Sequence, residues 1–181
     1  MLDESDSMNA STHISREKLA ELHGAQWESL ARTATWLVGS RQVGEELAQD
    51  AFVRLIEHWP TIADKNAAPA WLYRTVVNLS RSTNRRFAIG REKRELARAD
   101  TALVDHSAEE LGGTLVDSAL GTAIADLPRR QRECLVLRYV QDMTVEQIAT
   151  ALEIGAGSVK THLHRATTKL QTIEGLQPHD Q

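Results

Sequence analysis

One stretch near the end of the chain carries basic and hydroxyl side chains and no acidic residue. Residues 156–172 contain three lysines or arginines and two histidines. Lysine and arginine bind phosphates and guanine edges, while serine, threonine and histidine reach bases or phosphates. If the stretch is a helix, its outward side chains are Ser158, Lys160, Thr161, His164 and Arg165. This pattern indicates a surface that reads duplex DNA.

Such a surface needs a helix-turn-helix to position it, and the preceding residues predict one. Thr144 with Gln147 three residues later forms a capping box, which predicts that a helix begins at Val145. Residues 153–155 would form the turn, and a second helix would begin near Ala156. A short helix, a three-residue turn and a basic helix are typical of DNA-binding modules. The alternative is a solvated helical face that is basic without binding DNA.

A second polar stripe lies on a predicted helix that begins at Pro69. Its members are spaced by four, three and four residues, so they share one helical face. This arginine stripe consists of Arg74, Asn78, Arg81 and Arg85. Guanidinium and amide groups suit phosphates and base edges. An exposed structural helix is the alternative interpretation.

The helix predicted over residues 43–59 carries a stripe of the opposite charge. This acidic stripe consists of Glu46, Asp50, Val53 and Glu57, with Gln49 and Arg54 beside it. Carboxylates repel phosphates, so this face cannot bind DNA. Either it is solvated, or it docks on a basic protein surface.

Composition and periodicity predict how these faces are organised. Of 181 residues, 41% are hydrophobic, while only ten are glycine and four are proline, which favours helices over strands. The predicted fold class is all-α: two small helical domains joined by a flexible acidic linker, with the helix-turn-helix in the second. The predicted segments are a disordered tail at 1–21, a first domain at 22–96, the linker at 97–119, a second domain at 120–173 and a C-terminal tail at 174–181.

Several classes of function find no support in the sequence. A membrane span needs about 18 consecutive apolar residues, and no apolar stretch of this chain is nearly that long. The acidic N-terminus does not resemble a signal peptide. We therefore expect a cytoplasmic protein without membrane insertion. Cys134 is the single cysteine, and His162 and His164 lie on different faces of their helix, so neither a disulfide nor a metal site is expected. Without a phosphate loop or nucleophile elbow, we expect no catalytic activity and no cofactor.

Taken together, the two halves resemble a known family. Residues 43–59 (VGEELAQDAFVRLIEHW) and 70–86 (AWLYRTVVNLSRSTNRR) are similar to the second conserved region of extracytoplasmic-function (ECF) bacterial sigma factors. Residues 126–166, which run from DLPRRQRE to KTHLHRA, are similar to the fourth. The resemblance implies a protein that binds core RNA polymerase and directs promoter recognition and transcription initiation.

The resemblance also implies roles for individual residues. The polymerase's β′ clamp helices would bind Glu46, Leu47, Gln49, Asp50, Val53 and Arg54. The −10 element would be read as a single strand, with Asp64, Lys65 and Asn66 forming a pocket for a flipped base and the arginine stripe holding the backbone. The second domain would read the −35 duplex and contact the β flap, and the linker would enter the RNA exit channel. An anti-sigma factor is a further implied partner.

Two other functions compete with this interpretation. A stand-alone helix-turn-helix regulator would use only the second domain and would leave both stripes of the first unexplained. A helical adaptor that binds only proteins would not explain the acid-free helix.

The chain departs from the family pattern in the turn of the helix-turn-helix. Family members usually carry glycine at the position of Glu153, where the backbone favours a left-handed conformation, and often proline at that of Gly155. Either Glu153 adopts that conformation at a cost of about 1 kcal/mol, or the turn differs and Gly155 takes the strain. His162 also replaces a residue that is commonly basic. We expect these changes to affect only which bases of the DNA the helix-turn-helix prefers.

Overall fold

The computed structural model describes residues 13–99 and 119–172, and these ranges contain α-helices and short 3₁₀ turns but no strand. The all-α prediction is confirmed. The seven helices of these ranges are α1 (Arg16–Val38), α2 (Arg41–His58), α3 (Ala68–Ala99), α4 (Ala119–Ala125), α5 (Arg129–Tyr139), α6 (Val145–Leu152) and α7 (Ala156–Gln171). None of these helices is long and apolar enough to cross a membrane.

Helix α1 begins earlier than the sequence pattern indicated. Its N-cap is Ser15, whose Oγ accepts a hydrogen bond from the backbone N–H of Lys18 at 3.2 Å. Leu22, within the first turns, is buried. Residues 16–21 are therefore helical and not part of a disordered tail, which corrects that boundary. The rest of the predicted tail, residues 1–12, lies outside the described residues.

Helices α1, α2 and α3 form the first domain around one apolar core. Leu30, Ala34, Leu55, Leu72 and Val76 are fully buried there. Helix α1 ends at Gly39, whose φ of 81° lets its N–H bond the carbonyl of Thr35 at 2.7 Å. This sharp end turns the chain directly into α2.

Helices α1 and α2 approach each other closely at Gly44. A Cβ atom added to Gly44 would lie 2.6 Å from the backbone nitrogen and 2.8 Å from the Cα of Thr35. Because both are backbone atoms, side-chain rotation cannot relieve such a contact. The absence of a side chain at residue 44 therefore permits the crossing.

We expect the Gly44→Ala substitution to lower the free energy of unfolding by about 1–3 kcal/mol, as overpacking does. The matched control is Gly24→Ala in α1, where nothing lies within 4 Å of an added Cβ atom. Because alanine is a better helix former than glycine, the free energy of unfolding of the control variant is expected to rise by about 0.5–1 kcal/mol. Chemical denaturation measures the free energy of unfolding of both variants. Equal responses of the two variants would contradict the close crossing.

Helices α4 to α7 form the second domain, and they confirm the predicted helix-turn-helix. Pro128 precedes α5, and Thr144 and Gln147 form the capping box at the start of α6. Ile148 and Val159, from the two helices of the motif, are fully buried. The predicted linker, residues 97–119, lies outside the described residues except at its ends, which belong to α3 and α4.

Candidate nucleic-acid interface

The recognition helix of the motif, α7, presents its predicted DNA-binding side chains to solvent. Val159 and Ala166 are buried on its inner side. The side chains on the opposite side are exposed, namely Ser158, Lys160, Thr161, His164 and Arg165. All five are therefore accessible to a DNA duplex.

The turn before α7 places its unusual backbone conformation at Glu153. That residue has φ 55° and ψ 48°, in the left-handed region, whereas Gly155 is extended with φ −67° and ψ 146°. The N–H of Ile154 donates to the carbonyl of Ala149 at 3.0 Å, which closes the end of α6. Of the two alternatives that the sequence left open, the strain therefore falls on Glu153.

We expect Glu153→Gly to raise the free energy of unfolding by about 1 kcal/mol, because glycine adopts a left-handed backbone without the Cβ clash. Glu153→Gln serves as the control, since it removes the charge and keeps the Cβ atom. Urea denaturation of the two variants measures the difference. No gain for glycine over glutamine would show that the turn is not strained.

The loop that precedes α3 contains the three residues predicted to receive a flipped base, Asp64, Lys65 and Asn66. The carboxylate of Asp64 accepts from the backbone N–H of Asn66 at 2.9 Å, which caps a short 3₁₀ turn over Lys65–Ala67. The ammonium of Lys65 donates to the carbonyl of Ile62 at 2.8 Å and to that of Trp59. Asp64 and Asn66 are exposed, whereas Lys65 is half-buried and fixes the loop.

The arginine stripe runs along one face of α3, as predicted, but two of its members contact the second domain. Arg74 and Asn78 are exposed, and so is Arg85. Arg74 nevertheless forms an ion pair with Glu153. Arg81 donates to the amide oxygen of Asn78 at 3.0 Å and reaches a carboxylate on α5.

That carboxylate is Glu133, which the sequence did not identify. Its two oxygens accept from Nε and Nη2 of Arg81 at 2.7 and 2.8 Å, and Arg130 adds a third bond at 3.1 Å. Glu133 is only 3% exposed, so the bidentate pair is buried on its acidic side. Hydrogen bonding to Glu133 raises the pKa of Arg81. The sequence does contain a signal for Glu133: in the segment RRQRE it is a single acidic residue one helical turn after two arginines.

Further polar contacts join the second domain to α1. Gln141 donates to the carbonyl of Ser29 at 2.9 Å and to the hydroxyl of Thr33, and Ser29 donates back to its amide oxygen. Arg132 donates to the carbonyl of Leu37 at 3.1 Å. Burial lowers the pKa of Arg132. Hydrogen bonds between groups far apart in sequence therefore join the two domains, and buried apolar residues of both domains belong to one continuous hydrophobic core.

The acidic stripe of α2 faces away from this domain interface. Glu46, Asp50 and Glu57 are exposed, as are Gln49 and Arg54 beside them. Val53 is 53% exposed, and the neighbouring Ile56 is 41% exposed. Leu47 is buried in the core of its domain, so it supports this surface from beneath.

Apolar side chains line a cleft of about 380 Å³ between α1 and the second domain. They include Trp36, Leu120, Ile124, Leu135, Tyr139 and Leu170. Cys134, next to Leu135 in sequence, is buried, and burial raises the pKa of its thiol to about 11, which is typical of a structural cysteine. Within residues 13–99 and 119–172, no three metal-ligating side chains come together.

Comparison with known proteins identifies relatives of both domains. Residues 27–87 match the family "Sigma-70 region 2", and residues 117–170 match the family "Sigma-70, region 4". The RNA polymerase sigma-E factor of Streptomyces avermitilis is 35% identical over 147 residues, which cover 80% of this chain and 78% of the relative. The ECF RNA polymerase sigma factor EcfG of Rhodopseudomonas palustris is 27% identical over 147 residues, which cover 80% of this chain and 78% of that relative.

A solved structure shares the fold. It is the sigma factor RpoE in complex with the anti-sigma factor NepR from Bartonella quintana, with a TM-score of 0.64 and 21% identity. The match covers 86% of this chain and 95% of that one.

Proposed function

Because the chain belongs to the sigma-70 family, within its ECF group, we propose that it binds core RNA polymerase and directs sequence-specific promoter recognition and transcription initiation. The observation that carries the proposal is the presence of both regions in one chain, 80% of which aligns with a single sigma-E factor. The protein would catalyse no reaction itself, since the polymerase supplies the chemistry, and it would act in the cytoplasm with that enzyme.

Each exposed polar face has a role in this proposal. The recognition helix α7 reads the −35 duplex in the major groove, where an exposed Lys160 or Arg165 can bond guanine edges. The loop around Asn66 receives an unpaired base of the −10 element. The arginine stripe then holds the backbone of that strand through charge-assisted hydrogen bonds.

The acidic stripe of α2 is proposed as the surface that docks on the β′ clamp helices. Exposed carboxylates at Glu46 and Asp50 supply the charge, and the exposed Val53 supplies apolar area at the centre. Depletion of charge at the centre and a polar rim are typical of protein interfaces. The second domain would contact the β flap.

An anti-sigma factor is the second protein partner that we propose. Support comes from the solved relative of the same fold, which is a sigma factor bound to an anti-sigma factor. A stand-alone regulator is the less favoured alternative, because it gives the region matched over residues 27–87 no role.

Run-off transcription tests the proposed function. Core polymerase is incubated with genomic promoter fragments, with and without the purified protein. We expect discrete transcripts only when the protein is present. A protein that binds DNA but adds no transcripts would support the stand-alone regulator and would exclude the sigma factor.

A further inference from the structure

The loop between α2 and α3 is closed by one of its own side chains. Residues 59–67 contain two short 3₁₀ turns. The side chain of Lys65 reaches from the second turn back to the first, where its ammonium donates to the carbonyls of Trp59 and Ile62, the latter at 2.8 Å. Trp59 and Ile62 are both buried in the apolar core. Lys65 therefore ties the loop to the core of the first domain.

The ammonium of Lys65 is engaged within the protein. A lysine ammonium carries three N–H donors and no acceptor. The two carbonyls take two of these donors, and the indole of Trp59, whose ring centroid is 4.8 Å from the nitrogen, lies within the range of a cation–π contact. Lys65 is half-buried, whereas Arg85 and Lys160, which are proposed to contact DNA, are exposed. The charge of Lys65 thus serves the loop.

Asn66, the residue after Lys65, is proposed to receive the unpaired base. Its backbone N–H bonds the carboxylate of Asp64 at 2.9 Å, and its side chain is exposed. On its other side, Ala68 is fully buried at the start of α3. Asn66 is therefore held between two attachments to the core, at Lys65 and at Ala68. A loop already ordered in its binding conformation binds more tightly, because less conformational entropy is lost on binding.

We infer that Lys65 is a positioning residue that does not touch DNA, and that its ammonium holds the loop so that Asn66 meets the unpaired −10 base in one orientation. The inference rests on the proposed function. It differs from the role that the family resemblance implies, in which Lys65 lines the base pocket itself. Without the ammonium, the loop loses its tie to Trp59 and Ile62. Binding of the base then weakens, while no phosphate contact is lost.

The test compares Lys65→Met with Arg85→Met in the holoenzyme, assembled from the full chain and core polymerase. Each variant removes one positive charge, and Arg85 is an exposed member of the arginine stripe. The probe is a fluorescein-labelled single-stranded oligonucleotide with the non-template −10 sequence of a promoter found by run-off transcription. Fluorescence anisotropy gives its affinity at several salt concentrations. The slope of log affinity against log salt concentration reports how many phosphates the protein neutralises.

We expect Lys65→Met to weaken binding of this probe about tenfold, as loss of one bound base does, without changing the salt slope. Arg85→Met should instead reduce the slope by about 0.7, the value for one phosphate of a single strand. An equal reduction by Lys65→Met would show that Lys65 binds a phosphate and would overturn the inference. Unchanged affinity of a folded Lys65→Met holoenzyme would also contradict it.

Abasic oligonucleotides show whether the lost affinity belongs to the base. Each −10 base is replaced in turn by an abasic site, and the position at which the wild type loses most affinity identifies the base that the loop receives. At that position Lys65→Met should lose less than the wild type, because the base already contributes less to its binding. Arg85→Met should lose as much as the wild type. Equal losses in Lys65→Met and the wild type would refute the positioning role.

The variant Lys65→Arg keeps a cation that can donate to the same carbonyls and stack on the indole. It should bind the probe more tightly than Lys65→Met does, with the salt slope of the wild type. Binding as weak as that of Lys65→Met would show that the cationic tie to the carbonyls is not what orders the loop.

Acylation of the free chain by N-hydroxysuccinimidyl acetate tests the tie without DNA or polymerase. The reagent must reach the lysine nitrogen, so Lys65 should react more slowly than the exposed Lys160, as measured by mass spectrometry of peptides. Equal rates would overturn the inference. Because this assay involves no transcription, its outcome is independent of the proposed function, which fails if the wild-type holoenzyme makes no run-off transcript.

Discussion

Reversing the acidic stripe by Glu46→Arg together with Asp50→Arg is expected to abolish binding to core polymerase. Both side chains are exposed, so four units of charge change at the surface while the packed side of α2 is untouched. Like charges brought together at an interface cost several kcal/mol, and each 1.4 kcal/mol or so is tenfold in affinity. Co-purification of tagged protein with core polymerase measures the loss, and circular dichroism checks the helical content.

The matched control makes the same charge change on another helix. Glu21→Arg with Glu28→Arg alters two exposed carboxylates of α1 that lie outside the acidic stripe. We expect this variant to co-purify with polymerase as the wild type does. Survival of binding after reversal of the stripe would show that another surface docks on the polymerase.

Substitutions in the two domains are expected to impair two different modes of DNA recognition, that of unpaired bases and that of the duplex. Asn66→Ala is expected to impair open-complex formation, because the exposed amide is proposed to bind an unpaired base. The loop itself should persist, since Asp64 bonds the backbone N–H of residue 66 and not its side chain. Lys160→Ala should instead weaken recognition of the upstream duplex, by about 1–3 kcal/mol if it contacts a base.

A bubble template distinguishes these two defects. Extracting a base from a duplex costs a few kcal/mol, and a template already unpaired at −10 supplies that energy in advance. The bubble should therefore restore part of the transcription that Asn66→Ala loses and leave the defect of Lys160→Ala. Permanganate footprinting and run-off transcription on duplex and bubble templates measure this. Equal rescue of both variants would show that the roles of the two domains are assigned wrongly.

Local patterns predicted most of the helices and the faces that they present. The capping box at Thr144 and the spacing of Arg74, Arg81 and Arg85 concern residues three or four apart, which any α-helix brings together whatever surrounds it. The start of α1 was missed because residues 16–21 carry little apolar periodicity, and only the cap at Ser15 signals the helix. For the turn between α6 and α7, the sequence also limited the residue with a strained backbone to two candidates, Glu153 and Gly155.

Only the tertiary structure decided between those candidates and identified what the arginine stripe contacts. Glu153 takes the left-handed conformation because the N–H of Ile154 must reach Ala149 for α7 to cross α6. Arg81 and Glu133 are 52 residues apart, and Ser29 and Gln141 are 112 apart. Such pairs arise from the packing of one domain on another, which helical periodicity does not encode. The sequence therefore determined which faces are charged, and the packing of the domains determined which of them are open.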